Sequence, residues 1–152
     1  MRVAQSLSNV LLHIIFSTKN RSPFIDTAIE PELNAYITSI TSSRGSYMHK
    51  IGGVEDHLHL FTTLPRTLSI SDLLEEIKKN SSKWIKTKGE RYRDFAWQNG
   101  FGVFSVSQSQ HDAVTAYISS QKEHHKTQTF QDEYRLFLQR NNVPFDERYV
   151  WD

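Results

Sequence analysis

Two histidines separated by a leucine, in Asp56-His57-Leu58-His59-Leu60-Phe61, are the residues of this chain best suited by type and spacing to do chemistry. The run reads as a β-strand, whose side chains alternate between faces, so His57 and His59 share one face while Leu58 and Leu60 point into the core. Two imidazoles on one face make a pair of metal ligands. The blander reading is a pair of satisfied histidines at the edge of a core, because 7 histidines in 152 residues make one His-x-His unremarkable. With 0 cysteines there is no disulfide, thiolate site or cysteine nucleophile, and any ion must be held by nitrogen and oxygen.

A second pair lies further along. Tyr117 and Gln121 are four residues apart in a stretch with helical periodicity, which places a phenol and an amide oxygen on one face about a turn from each other. An amide oxygen is a hard ligand, and two imidazoles plus one oxygen leave open positions on a divalent ion. Such an ion can polarise a phosphate held beside the tyrosine. A phenol with a pKa of about 10 needs local positive charge or a base before it attacks. Alone, Tyr117 reads as a half-buried helix tyrosine and Gln121 as a solvent-facing amide.

The elements that must position these groups follow from periodicity. Residues 10–17 read as a buried strand ended by the polar turn Thr18-Lys19-Asn20-Arg21-Ser22-Pro23. A helix follows Pro31, with Leu33, Ile37 and Ile40 on one face, and exits near Gly45. Residues 47–54 and 57–64 read as two strands joined at Glu55-Asp56, with Pro65 ending the second. Ser69 or Ser71 caps a long helix whose apolar stripe runs from Ile70 to Ile85. Trp97, Phe101, Val103, Phe104 and Val106 suggest another strand, and residues 111–125 a third helix. The order β-α-β-β-α-β-α is that of a ferredoxin-like α/β (α+β) fold, an antiparallel sheet with helices on one face plus an extra C-terminal helix carrying Tyr117.

Residues 1–152 are expected to form one domain. Its tail, residues 127–152, holds Phe130, Tyr134, Phe137, Phe145, Tyr149 and Trp151. Exposed aromatics at that density call for packing on the body or on a partner subunit. The first three face one side of a fourth helix that stops before Asn141-Asn142-Val143-Pro144.

Lys plus Arg 18 against Asp plus Glu 17 gives a net charge of +1, so charge distribution is more informative than the total. Lys83, Lys86, Lys88, Arg91 and Arg93 lie in a segment opposed only by Glu90, and could follow a phosphate backbone or form a solvated helix face. The longest apolar stretch near the start, residues 10–16, is far too short to span a bilayer, and no secretory cleavage site follows it. The expectation is a cytoplasmic protein with no membrane association. His13, His49, His111, His124 and His125 are read as surface or core residues, although a helix could bring His124 or His125 near the face that carries Gln121. Asp56 is a turn residue that can orient one of the paired imidazoles.

The ordered set His13-Ile14-Ile15-Phe16-Ser17-Thr18-Lys19, Asp56-His57-Leu58-His59-Leu60, the segment from Trp97 to Val106, Tyr117-Ile118-Ser119-Ser120-Gln121 and the ending Asp146-Glu147-Arg148-Tyr149-Val150-Trp151-Asp152 resembles the single-tyrosine transposases of the IS200/IS605 type, which are HUH (His-hydrophobic-His) endonucleases. The resemblance spans nearly the whole chain. It implies that Tyr117 attacks a single-stranded DNA phosphate, forming a 5′-phosphotyrosine and freeing a 3′-OH. It further implies that His57, His59 and Gln121 hold Mg²⁺ or Mn²⁺, and that hairpins at the ends of an insertion sequence are recognised. A homodimer that exchanges the tyrosine helix between active sites is also implied. Two other functions remain open on the same fold: a non-catalytic hairpin-binding regulator, and a metallohydrolase using bound water, for which Tyr117 would be dispensable.

Overall fold

A computed structural model describes residues 3–152. Four strands, β1 (Leu11–Ser17), β2 (Met48–Val54), β3 (His57–Thr63) and β4 (Gly102–Val106), form one antiparallel sheet in the order β2-β3-β1-β4. Helices α1 (Glu30–Ser43) and α2 (Ile70–Lys86) connect them in the split β-α-β-β-α-β manner. Short helices α3 (His111–Ser119) and α4 (Gln121–His124) and a longer α5 (Phe130–Arg140) follow.

Alternation divides the side chains of the two central strands between two layers. Leu12, Ile14 and Phe16 of β1 and Leu58 and Leu60 of β3 pack against Leu33 and Ile37 of α1 and Leu73, Leu74 and Ile77 of α2. α2 starts where its sequence asks, with the Ser69 hydroxyl accepting from the Asp72 N–H at 3.0 Å. The opposite face of the sheet is also covered. Ile15 and Phe104 meet Phe130, Tyr134 and Leu138 of α5, and Leu11 and Phe61 meet Ile118 of α3. Phe137, Phe145 and Trp151 pack against this cluster whereas Tyr149 is 63% exposed, and the His57–His59 pair lies beneath a roof.

The first two helices occupy one sheet face as expected, but α3, α4 and α5 together close the other. The stretch 111–125 is not one helix. Ser120 leaves helical geometry at φ −97°, ψ 11°. The Ser119 hydroxyl donates to the Thr115 carbonyl at 2.9 Å and the Ser120 hydroxyl to the Ala116 carbonyl at 3.0 Å, back-bonding that bends helices. The strand expected around Trp97 to Val106 begins only at Gly102; Trp97 makes an isolated bridge to Thr18 and donates its indole N–H to the Ser81 hydroxyl at 2.9 Å.

Two glycines permit the roof to close. A Cβ on Gly52 would meet the Ile118 side chain and carbonyl at 3.2 Å, so α3 can lie directly on β2. A Cβ on Gly102 would lie 2.8 Å from the Tyr134 ring and 2.9 Å from its hydroxyl. Gly102→Ala should displace α5 and cost about 1–3 kcal/mol in thermal denaturation; unchanged stability would mean that this close approach does not hold α5 in place.

Candidate active site

The site begins with strand register. β1 and β3 pair with Ile15 opposite His59 and His13 opposite Phe61, which makes His13 and His59 diagonal neighbours on one sheet face. Their rings meet, with His13 Nε2 2.8 Å from His59 Nδ1. One pleat further along β3, His57 points the same way and donates from Nδ1 to the Asp56 carboxylate at 2.7 Å. Both members of the pair are 0% exposed.

From the roof, α4, the His125 that follows it and α5 add an amide, a fourth imidazole and a carboxylate. The Gln121 Oε1 lies 2.9 Å from His57 Nε2. Glu133 of α5 is 1% exposed, and its Oε1 lies 3.3 Å from His57 Nε2, 3.1 Å from His59 Nε2 and 2.9 Å from His125 Nε2. Its Oε2 accepts from the Gln121 amide at 2.9 Å and from the Tyr117 hydroxyl. One carboxylate therefore touches three imidazoles, the amide and the phenol.

The residues singled out by sequence fall into two groups. His57, His59, Tyr117 and Gln121 are brought together, although Gln121 is 1% exposed instead of solvent-facing. Lys83, Lys86, Lys88, Arg91 and Arg93 are not brought to them, because α2 covers the other face of the sheet. Lys83 and Lys86 are exposed there, Lys88 lies over the Trp84 ring, Arg91 pairs with Asp26 at 3.0 Å, and Arg93 pairs with Glu90 at 3.3 Å.

Three members of the cluster lay outside the sequence expectation. His13 and His125, read as ordinary surface or core residues, are both in it, and Glu133 was only one acidic residue of the tail. A signal for Glu133 was present: it lies in the helical stripe Phe130, Tyr134, Phe137, a carboxylate where the spacing asks for an apolar residue. A signal for His13 was its position on an otherwise apolar strand.

Burial and pairing set the charges. Burial opposes charge on His57, but hydrogen bonds to Asp56 and Glu133 outweigh it and raise its pKa to about 9. Burial lowers His59 to about 4, against the attraction of Glu133. It lowers His13 to about 3, helped by the neighbouring His59. Glu133 is held well below the usual carboxylate range, because hydrogen bonds from His125, His57 and His59 outweigh its burial. The Tyr117 phenol is pushed up by burial and by the Glu133 carboxylate. The donor types suit a divalent cation: imidazole nitrogen, carboxylate and amide oxygen converge in a buried cluster, a cation would take the place of the His57 proton, and the Asp56 and His13 contacts leave the Nε2 atoms of His57 and His59 facing Glu133.

These shifts fix a pH dependence for the protein kept free of cations by a chelator. In the unfolded chain every imidazole titrates near 6.5. His57 contributes stability that is fully present below pH 6.5 and lost as pH rises towards 9. His59 and His13 contribute stability present above pH 6.5 and lost as pH falls towards 4 and 3. The melting temperature should therefore peak near pH 6.5 and fall on both sides, and Asp56→Asn should flatten the alkaline limb. A melting temperature that keeps rising from pH 6.5 to 9 would contradict the assignment for His57.

Two solved structures share the fold. A crystal structure of a protein assigned as a transposase from Deinococcus radiodurans aligns with a TM-score of 0.62 at 19% identity, covering 80% of this chain and 98% of that one. A REP-associated tyrosine transposase bound to a REP hairpin aligns with a TM-score of 0.60 at 18% identity, covering 82% of this chain and 74% of that one. No curated protein sequence matches the chain. Residues 6–121 match the family described as IS200-like transposases, a span that includes His13, His57, His59, Tyr117 and Gln121 and ends before His125 and Glu133. The chain belongs to the IS200-like transposase family.

Proposed function

We propose that the chain cuts and rejoins single-stranded DNA with Tyr117 as the nucleophile. The observation that carries this reading is the shared carboxylate: the Tyr117 hydroxyl donates to one oxygen of Glu133, whose other oxygen contacts the three imidazoles. The nucleophile and the nitrogens that can hold a cation are thus within one residue of each other. Family membership and the hairpin in the related structure support DNA hairpins as the substrate class.

In the reaction the Tyr117 oxygen gives up its proton and forms a bond to phosphorus, the bond from phosphorus to the 3′-oxygen breaks, and the 3′-oxygen takes up one proton in place of the one the phenol released, so the exchange is balanced. The product is a 5′-phosphotyrosine, which keeps the free energy of the phosphodiester, so a 3′-OH can reverse the step without a nucleotide cofactor. A bound Mg²⁺ or Mn²⁺ supplies positive charge to the phosphate oxygens. His57 and His59, with Gln121, would hold it. Glu133 orients the phenol and is too weak a base to keep its proton. Tyr117 is half-buried, with His124 stacked on its ring. Lys83 and Lys86, with Lys88, Arg91 and Arg93, are proposed to follow the DNA backbone away from the site.

Within one chain the imidazole pair and the tyrosine meet at Glu133, an arrangement compatible with cleavage in cis. In a homodimer that exchanges α3 and α4, the same contacts would form between chains. Mixing a His57→Ala/His59→Ala chain with a Tyr117→Phe chain separates the two: restored cleavage indicates exchange, and none indicates cis.

Tyr117→Phe should abolish the covalent protein–DNA adduct and reduce cleavage of a single-stranded hairpin substrate on the order of 10³-fold or more, with hairpin binding kept. Adduct formation and cleavage are read on a denaturing gel. Undiminished cleavage by this variant would overturn the proposal in favour of a water nucleophile; hairpin binding with no cleavage by the parent protein on any such substrate would favour a regulator.

A further inference from the structure

We propose that α4–α5 complete the cation site, with His57 Nε2, His125 Nε2 and Glu133 Oε1 as ligands, and that this donor set takes a transition-metal ion such as Mn²⁺, Co²⁺ or Zn²⁺ in preference to Mg²⁺. The inference rests on reading the His57–His59 face as the cation site and changes which residues complete it. His125 and Glu133 both lie beyond the residues that match the family.

Geometry carries the argument. The donor atoms of His57, His125 and Glu133 all lie within 4.8 Å of one another. Glu133 Oε1 is 3.3 Å from His57 Nε2 and 2.9 Å from His125 Nε2. Ligands bound at about 2.1 Å are separated by about 3.4 Å in a tetrahedral shell and about 3.0 Å at right angles, so the two edges at Glu133 match those of a coordination sphere and the third is within 4.8 Å. The Nδ1 of His57 is already committed to Asp56, which leaves Nε2 for the ion. Two imidazoles and a carboxylate leave open positions for substrate oxygen, whereas Mg²⁺ favours oxygen ligands alone and retains much of its water.

The same carboxylate has a second task. Its Oε2 holds the Tyr117 hydroxyl, so an ion bound through Oε1 and the nucleophile are tied to one side chain of α5. Tyr117 is thereby positioned by the element that completes the cation site.

The test is titration of the full chain, free of other metal, with Co²⁺, Mn²⁺ and Mg²⁺ separately, by calorimetry and, for Co²⁺, by visible absorption. Co²⁺ and Mn²⁺ should bind at least about tenfold more tightly than Mg²⁺. His125→Ala and Glu133→Gln should each weaken Co²⁺ binding at least about tenfold and change the coordination number read from the intensity of the Co²⁺ bands, whereas loss of an outer-shell partner would weaken binding with the coordination number kept. Circular dichroism of both variants without metal establishes that they fold, and His125→Gln serves if the alanine variant does not. Unchanged affinity and bands in both variants, with binding lost in His57→Ala and His59→Ala, would overturn the proposal and leave the His pair as the site. Mg²⁺ binding as tight as Co²⁺ would overturn the selectivity. Absence of binding by the parent chain would remove the cation reading altogether.

Discussion

A single carboxylate, Glu133, carries the electrostatics of the buried sheet face. Three imidazoles, an amide and a phenol surround it, at positions where an isolated polar group would cost free energy. Each is satisfied because the others are present, and the network is worth keeping only as a complete set. Both histidines face Glu133, yet His57 is driven towards its charged form because Asp56 adds a second anion, whereas burial outweighs Glu133 at His59, which has another histidine behind it. The arrangement ties β1, β3, α3, α4 and α5 to one point.

The constraint also explains how the fold divides its labour. α1 and α2 close one face of the sheet with aliphatic side chains, which requires nothing of their geometry beyond packing. The other face is closed by three short helices, two of which adjoin at Ser120, where serine hydroxyls compete for backbone carbonyls. A single straight helix is the simpler roof, but the bend lets Gln121 turn in against His57 while Tyr117 remains half-buried one turn earlier. The exposed lysines of α2 lie on the far face, so DNA engaged by both regions must pass around an edge of the sheet.

Much of this was legible in the residues. Alternation in β3 placed Leu58 and Leu60 inside and the two histidines together, and the stripe from Ile70 to Ile85 defined α2 with its serine cap. Tyr117 and Gln121 still meet across the break in the helix because both reach the same oxygen of Glu133. What could not be read was anything set by distant pairing. His13 joins His59 through strand register across 46 residues, and Glu133 reaches His59 across 74. Helical spacing can bring His125 near the face of Gln121, but nothing in its neighbourhood announces that α5 will bring a carboxylate beside it.

The central claim is that the buried cluster exists to present one phenol to a phosphodiester. The most direct measurement is mass spectrometric mapping of the covalent product formed with a single-stranded hairpin oligonucleotide. The account predicts a peptide containing Tyr117 that carries the 5′-phosphate of the downstream strand, with a free 3′-OH on the other fragment. Cleavage with no covalent peptide, or attachment to a different residue, would contradict it.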